Sequence, residues 1–225
     1  MPDDEAGTIS RVLRTREQTR AAYDRISRWY DFLEGNWEGE PKRACLQRLG
    51  IQRGEMALEI GFGTGHGILA LARAVGESGR VFGVDLSPRM LELTQTRVIR
   101  ERLAGRVSLK NGDATAVPLD DNSCDAVFMS FVLELFDTPE IPRVLSECRR
   151  VLKSGGRLGV VSLSKTGRST WIRNLYEWGH ARFPSVLDCR PIFVREALGI
   201  AGFRTLQASR RLLWGLPIEI VVGWK

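Results

Sequence analysis

Residues 57–67 read Ala57-Leu58-Glu59-Ile60-Gly61-Phe62-Gly63-Thr64-Gly65-His66-Gly67. An apolar strand ends here in three alternating glycines, and a helix begins. Gly61, Gly63 and Gly65 permit positive φ and let the backbone approach a ligand closely. The helix start behind them offers unpaired N–H groups and the positive end of the helix dipole, which suit a carboxylate or phosphate. An ordinary strand-to-helix turn uses the same residues, so the loop needs support from the rest of the chain. The dinucleotide fingerprint would place glycine at 61, 63 and 66. Position 66 is His, and Glu59 stands two residues before the first glycine. A carboxylate so close repels a pyrophosphate and attracts a cationic ligand, directly or through water.

Outward from this loop, short apolar runs alternate with helical stretches. Residues 56–61, 80–85, 107–110, 126–130 and 157–162 read as strands; 66–75, 88–102 and 139–151 read as helices. That alternation predicts an α/β fold, a mostly parallel Rossmann-like sheet with helices on both faces. Ser87-Pro88 supplies an N-cap and a proline at the first helical position. Ser154-Gly155-Gly156 is expected to close a helix before the next strand. Residues 168–201 look mostly helical. Residues 203–211 and 218–224 read as final strands joined at Gly215-Leu216-Pro217, too tight for a crossover helix, which predicts an antiparallel hairpin. At the other end, Ala22, Ile26, Trp29, Tyr30 and Leu33 form one apolar stripe in a helix over residues 9–33.

The strand ends carry the chemistry. Asp85 closes the second strand, where a carboxylate accepts both hydroxyls of a ribose. Asp113 follows the third strand and is placed to accept from an adenine amino group, with the Ala114 N–H directed at the ring. Ser130 and Phe131 close the fourth strand, where open α/β sheets place ligands at the switch point. An acid, a glycine cradle, a ribose acceptor and an adenine acceptor describe adenine, ribose and a zwitterionic tail with no phosphate. S-adenosylmethionine fits that description.

From about residue 22 to residue 165 the chain resembles the class I S-adenosylmethionine-dependent methyltransferases, and among them the ubiquinone/menaquinone biosynthesis C-methyltransferase family. The matching words are Tyr30-Asp31, EIGFGTG at 59–65, VDLSPRML at 84–91, GDATAVPLDDNSCDAVFMSF at 112–131, RVLKSGGRL at 150–158 and SLSK at 162–165. The resemblance implies a seven-stranded sheet whose last hairpin inserts an antiparallel strand. It also implies cofactor contacts from Thr64, Asp85, Asp113, Ala114 and Ser130. Glu59, Gly61, Gly63, Gly65, Leu86, Met90 and Phe131 complete the expected set, with Tyr30 capping the methionine end. Residues 1–40 are expected to form an N-terminal helical cap. Residues 41–225 then form the methyltransferase domain, with 166–202 a helical acceptor-site segment shorter than its counterpart in the quinone enzymes.

The acceptor is less legible. A carbon acceptor on a phenol or hydroquinone ring is helped by removal of the hydroxyl proton. His180 and His66 are the candidate bases, because imidazole titrates near neutral pH; Glu134 and Tyr176 are weaker candidates. A small, apolar, quinone-like acceptor is the first reading. A phospholipid amine or another small metabolite is the second. A nicotinamide oxidoreductase and a non-catalytic nucleotide-binding protein are alternatives of other classes.

Composition narrows the setting. The chain has 225 residues, 43% hydrophobic and 27% charged, which excludes wholesale disorder and a coiled-coil rod. The net charge of +6 is modest, and no N/D-P-P-Y/F tetrapeptide follows the fourth strand, so no nucleic-acid partner is expected. Cysteines 45, 124, 148 and 189 form no C-x-x-C pair, which argues against zinc and a disulfide framework; no metal is expected. The polar start MPDDEAGTIS is no secretory signal, and no apolar run approaches the roughly 20 residues of a spanning helix. The reading is a cytoplasmic monomer or homodimer, with peripheral membrane contact left open by the interleaved arginines and aromatics of residues 168–193.

Overall fold

Strands that are apolar on both faces need cover on both. The computed structural model, which describes residues 39–166, 189–213 and 215–225, shows how they obtain it. Helix α1 (Gly39–Leu49) leads into β1 (Met56–Ile60), α2 (His66–Ala74), β2 (Arg80–Asp85), α3 (Pro88–Arg100) and β3 (Val107–Asn111). Then follow β4 (Cys124–Ser130), α4 (Ile141–Val151), β5 (Leu152–Leu163), α5 (Val194–Ile200), β6 (Arg204–Leu213) and β7 (Leu216–Trp224). The strand order is β3-β2-β1-β4-β5-β7-β6. The first five strands pair in parallel, and β7 lies antiparallel between β5 and β6.

Side chains alternate between two cores. Leu58 and Ile60 of β1, with Val127 and Met129 of β4, pack with Val144 and Leu145 of α4 and Val194 and Leu198 of α5. Ala57, Ala126 and Phe128 turn the other way, toward Cys45 and Leu49 of α1, Ile68 and Leu71 of α2, and Met90 and Val98 of α3. Each large aliphatic side chain buried this way contributes about 1.5–3 kcal/mol. The sheet is therefore sandwiched between α1–α3 and α4–α5.

The alternating pattern locates the elements within a few residues, and the parallel sheet with its inserted antiparallel strand matches expectation. Two details differ. Ser154-Gly155-Gly156 does not end a helix: α4 stops at Val151, and Leu152 already pairs with Cys124. Gly155, at φ 74°, instead bends β5 from within, where its register against β4 shifts. The hairpin turn is also tighter than Gly215-Leu216-Pro217, because Leu213 pairs with Leu216 and leaves only two residues between them. Of the helix expected over 168–201, the described part is α5 alone. The 9–33 helix and residues 167–188 lie outside the described residues. The boundary at 40/41 falls inside α1, whose Cys45 and Leu49 pack against Gly159 of β5.

Two partly buried carboxylates tie the layers. Asp125 accepts the Met56 N–H at 2.8 Å and the Lys153 ammonium at 2.7 Å, joining the starts of β1, β4 and β5. Burial opposes its ionisation, but Lys153 and the Met56 N–H outweigh that and hold its pKa below the ordinary value. Glu147 of α4 accepts from Arg150 and from the Val117 N–H, and the Arg150 guanidinium, acting against burial, lowers its pKa too. A carboxyl depressed in the folded state stabilises fully above its unfolded pKa, about 4, and loses that stabilisation as pH falls through the folded value. Asp125→Asn should therefore cost about 1 kcal/mol at pH 7 and much less at pH 3, measured by urea unfolding at both. An equal cost at the two pH values would show that the ionised form plays no part.

Candidate cofactor site

The sheet order reverses where β1 meets β2 on one side and β4 on the other, which opens a crevice at their carboxyl ends. The loop from Gly61 to Gly65 crosses it. Gly61 donates its N–H to Val84 O at 2.8 Å, and Gly65 donates to Phe62 O at 2.9 Å. Gly61 and Gly65 have φ of 67° and 89°, a left-handed backbone that costs side-chain-bearing residues roughly 1 kcal/mol or more. Space is equally decisive. A Cβ on Gly61 would collide with the Val132 side chain, and one on Gly65 would lie 2.6 Å from the Thr94 Cγ2.

The peptide groups of Gly63 are clamped from both sides. Its N–H donates to Asp85 Oδ2 at 2.9 Å, and its carbonyl accepts from Thr94 Oγ1 at 2.8 Å. Thr94 is fully buried and was not anticipated from sequence. Its signal was present: Met90, Thr94 and Val98 are the buried stripe of α3, with a hydroxyl where the pattern wants an aliphatic residue. Asp85 reaches the following turn as well, since its Oδ1 accepts the Ser87 N–H at 2.9 Å, while Ser87 Oγ accepts from the Met90 N–H as the predicted N-cap. The carboxylate thus binds the glycine loop and the start of α3 at once.

Glu59 is 2% exposed, and its carboxylate lies against Gly67 in the first turn of α2, where a Cβ would collide with it. A negative charge at that helix end complements the dipole internally. A carboxylate at that helix end disfavours a phosphate there, which is a physical reason for a phosphate-free ligand.

The remaining strand ends complete the crevice. Asp113 and Ala114 follow β3, and Asp113 Oδ1 accepts from the Thr115 N–H at 2.9 Å. Ser130 ends β4 with a buried Oγ that has no hydrogen-bond partner. A buried hydroxyl at this edge is the kind of group a polar ligand satisfies. Phe131 follows with φ 55°, a strained conformation for an aromatic residue, its N–H held by Val161 O at 2.8 Å. Nothing in the sequence signals that strain. Thr64 is buried at the loop, Leu86 is half-buried next to Asp85, and Met90 lies in the core beneath them. Tyr30, Tyr176 and His180 lie outside the described residues.

His66 is on the exposed start of α2, where its Nε2 lies 2.9 Å from Arg97 Nη1. A guanidinium only donates, so that nitrogen is the acceptor. Glu134 behaves differently again. It is fully buried in the 3₁₀ turn after β4, and its Oε1 accepts from the Leu163 N–H at the end of β5 at 3.1 Å. Arg190, also buried, donates to Phe136 O at 2.6 Å and to Thr138 Oγ1 at 3.2 Å. Together they pin the segment after β4 from two sides.

Residues 57–156 match the methyltransferase domain family, and the open sheet with its glycine loop is the fold on which that domain is built. Within that family the chain resembles the menaquinone-biosynthesis enzymes. It is 37% identical over 147 residues to the demethylmenaquinone methyltransferase of Geobacillus kaustophilus, covering 65% of this chain and 60% of that one. It is 34% identical over 148 residues to that of Lactobacillus johnsonii, covering 64% and 59%. The chain thus spans about three fifths of the length of these relatives. Among solved structures it is similar to a SAM-dependent methyltransferase from Aquifex aeolicus, with TM-score 0.60, 23% identity and coverage of 81% and 88%. It is also similar to the cyclase SpnF, with TM-score 0.75, 19% identity and coverage of 94% and 97%. A cyclase among the neighbours shows why such likeness speaks for the fold alone.

Two substitutions separate the clamp from the ligand contact. Asp85→Ala should weaken S-adenosylmethionine binding by about 1–3 kcal/mol through lost ribose bonding, and unchanged calorimetric affinity would contradict the ribose assignment. Thr94→Val keeps the shape and strands the Gly63 carbonyl. It should lower the thermal unfolding midpoint, and the same affinity measurement should show a weaker complex although Thr94 touches only the loop.

Proposed function

We propose that this chain transfers a methyl group from S-adenosylmethionine to a small, apolar, quinone-like ring. The observation that carries the cofactor half is the placement of Glu59 on the α2 N-terminus beside the Asp85–Gly63–Thr94 clamp. Asp85 would hold the ribose. Asp113 and the Ala114 N–H would hold the adenine, and the 61–65 loop and Ser130 the amino-acid portion. When bound, the cofactor supplies a methyl group on a positively charged sulfur.

The chain's own work is then placement and exclusion of water. An in-line displacement needs the acceptor atom aligned behind the methyl, which supplies on the order of 7–11 kcal/mol when well realised. Phe131 and Leu163, at the ends of β4 and β5 and in one hydrophobic cluster, would supply the apolar surface there. Glu134 and Arg190 fix the segment that carries this surface. The identity of 34–37% to enzymes named for a demethylated menaquinone supports a ring acceptor of that type. For its proton, His180 is favoured over His66, whose ring nitrogen is engaged by Arg97 on the outer face. A monomer or homodimer working without nucleic acid, in the cytoplasm and in peripheral contact with membrane lipid, completes the proposal. Among the described residues no helix is long and apolar enough to cross a membrane.

The decisive experiment supplies methyl-labelled S-adenosylmethionine and the purified chain to a lipid extract from cells lacking it. Label should appear in an apolar ring compound. Label confined to a water-soluble amine would overturn the acceptor, and tight cofactor binding with no labelled product in any fraction would overturn the enzymatic reading.

A further inference from the structure

On the sheet face opposite α1–α3, the helices α4 and α5 leave a groove of about 760 Å³ between them. That volume lies within the roughly 300–1,000 Å³ of small-molecule sites. Its walls are apolar, formed by Ile141 and Leu145 of α4 and by Ala197 and Ile200 of α5. Ile200 is 76% exposed, an unusual position for a large aliphatic side chain beside a concave surface.

One end of the groove is cationic. Arg149 and Lys225 both line it, and they are close enough that Arg149, after burial, lowers the Lys225 pKa. Lys225 Nζ donates to Asn122 Oδ1 at 2.7 Å and Leu152 O at 2.6 Å, and the nearby Asp121 carboxylate, a weaker influence than Arg149, acts on it in the opposite sense. Arg149 lies against Gly202 at the end of α5 and, among the described residues, forms no ion pair. The neighbouring Arg150 differs, being neutralised by Glu147 and Asp121. Glu196 on the α5 wall is the one carboxylate lining the groove. Two like charges at one end of an apolar trough repel one another, and an anion bound there would relieve that repulsion.

We propose that this groove binds a single-chain acidic amphiphile of the free fatty-acid type. Its carboxylate would sit between Arg149 and Lys225, and its alkyl chain along Ile141, Leu145, Ala197 and Ile200. The site lies on the opposite face from the glycine loop's helices and does not depend on the methyltransferase reading. A flat membrane surface would use exposed cations without a trough. A trough closed at one end by paired cations matches one chain with one head.

The test uses the full chain and dodecanoate below its micelle concentration, followed by titration calorimetry. Saturable one-to-one binding is expected, at least tenfold weaker for dodecanol, which keeps the chain and lacks the charge. Arg149→Glu should weaken dodecanoate binding at least tenfold, and Ala197→Trp should do so by filling the trough without changing charge. Far-UV circular dichroism and the melting temperature establish that both variants fold. Equal affinity for dodecanoate and dodecanol, or folded variants that bind as the parent does, would overturn the proposal. So would sedimentation with phosphatidylglycerol vesicles in the absence of any binding to the monomeric acid.

Discussion

The carboxylate of Asp85 holds this site together. It stands at the end of β2, yet its two oxygens serve backbone N–H groups on different segments, Gly63 in the loop after β1 and Ser87 at the start of α3. Thr94 then returns from α3 to the carbonyl of the same Gly63. Loop, strand end and helix close a ring of hydrogen bonds in which each part fixes the next. A charge-assisted bond is roughly twice as strong as a neutral one, so the ring is firmest at Asp85.

The same constraint sets the sign of the field in the crevice. Glu59 lies against the α2 N-terminus and Asp85 flanks the loop, so two carboxylates border a backbone that in dinucleotide folds would embrace phosphates. Their repulsion of an anion is about 1 kcal/mol per contact in water at 4 Å and several times larger where water is excluded. A ligand with a cationic sulfur and a cationic ammonium, carrying one carboxylate and no phosphate, meets far less of that repulsion.

Much of this was legible from the sequence, for reasons that differ residue by residue. The parallel sheet announced itself because strands buried on both faces must be apolar throughout, and the three glycines because few other residues adopt their φ. Asp85 and Asp113 stood out as acids at strand ends. Thr94 stayed hidden because one hydroxyl scarcely disturbs an apolar stripe. Phe131 stayed hidden because its left-handed backbone is imposed by Val161 and the turn after β4, not by its own preference. Glu59 is legible for its charge, while its packing against Gly67 is visible only in the fold. The 154–156 glycines were read as a helix stop for the same reason: flexible residues announce a change of direction without saying which element changes.

The turn after β4 ties these strands of argument together. Val132 occupies the space that a Cβ at Gly61 would claim, so the cofactor loop and this turn are packed against one another. Two residues later, Glu134 bonds the end of β5, and Arg190 grips Phe136 and Thr138 beyond it. The strained backbone of Phe131 lies between, and strain of about 1–3 kcal/mol persists only where surrounding contacts over-determine it. Those contacts come from the cofactor loop on one side and from β5 and Arg190 on the other. The turn is thus packed against the glycine loop on one side and tied to β5 and Arg190 on the other, and Phe131 sits where the two sets of contacts meet.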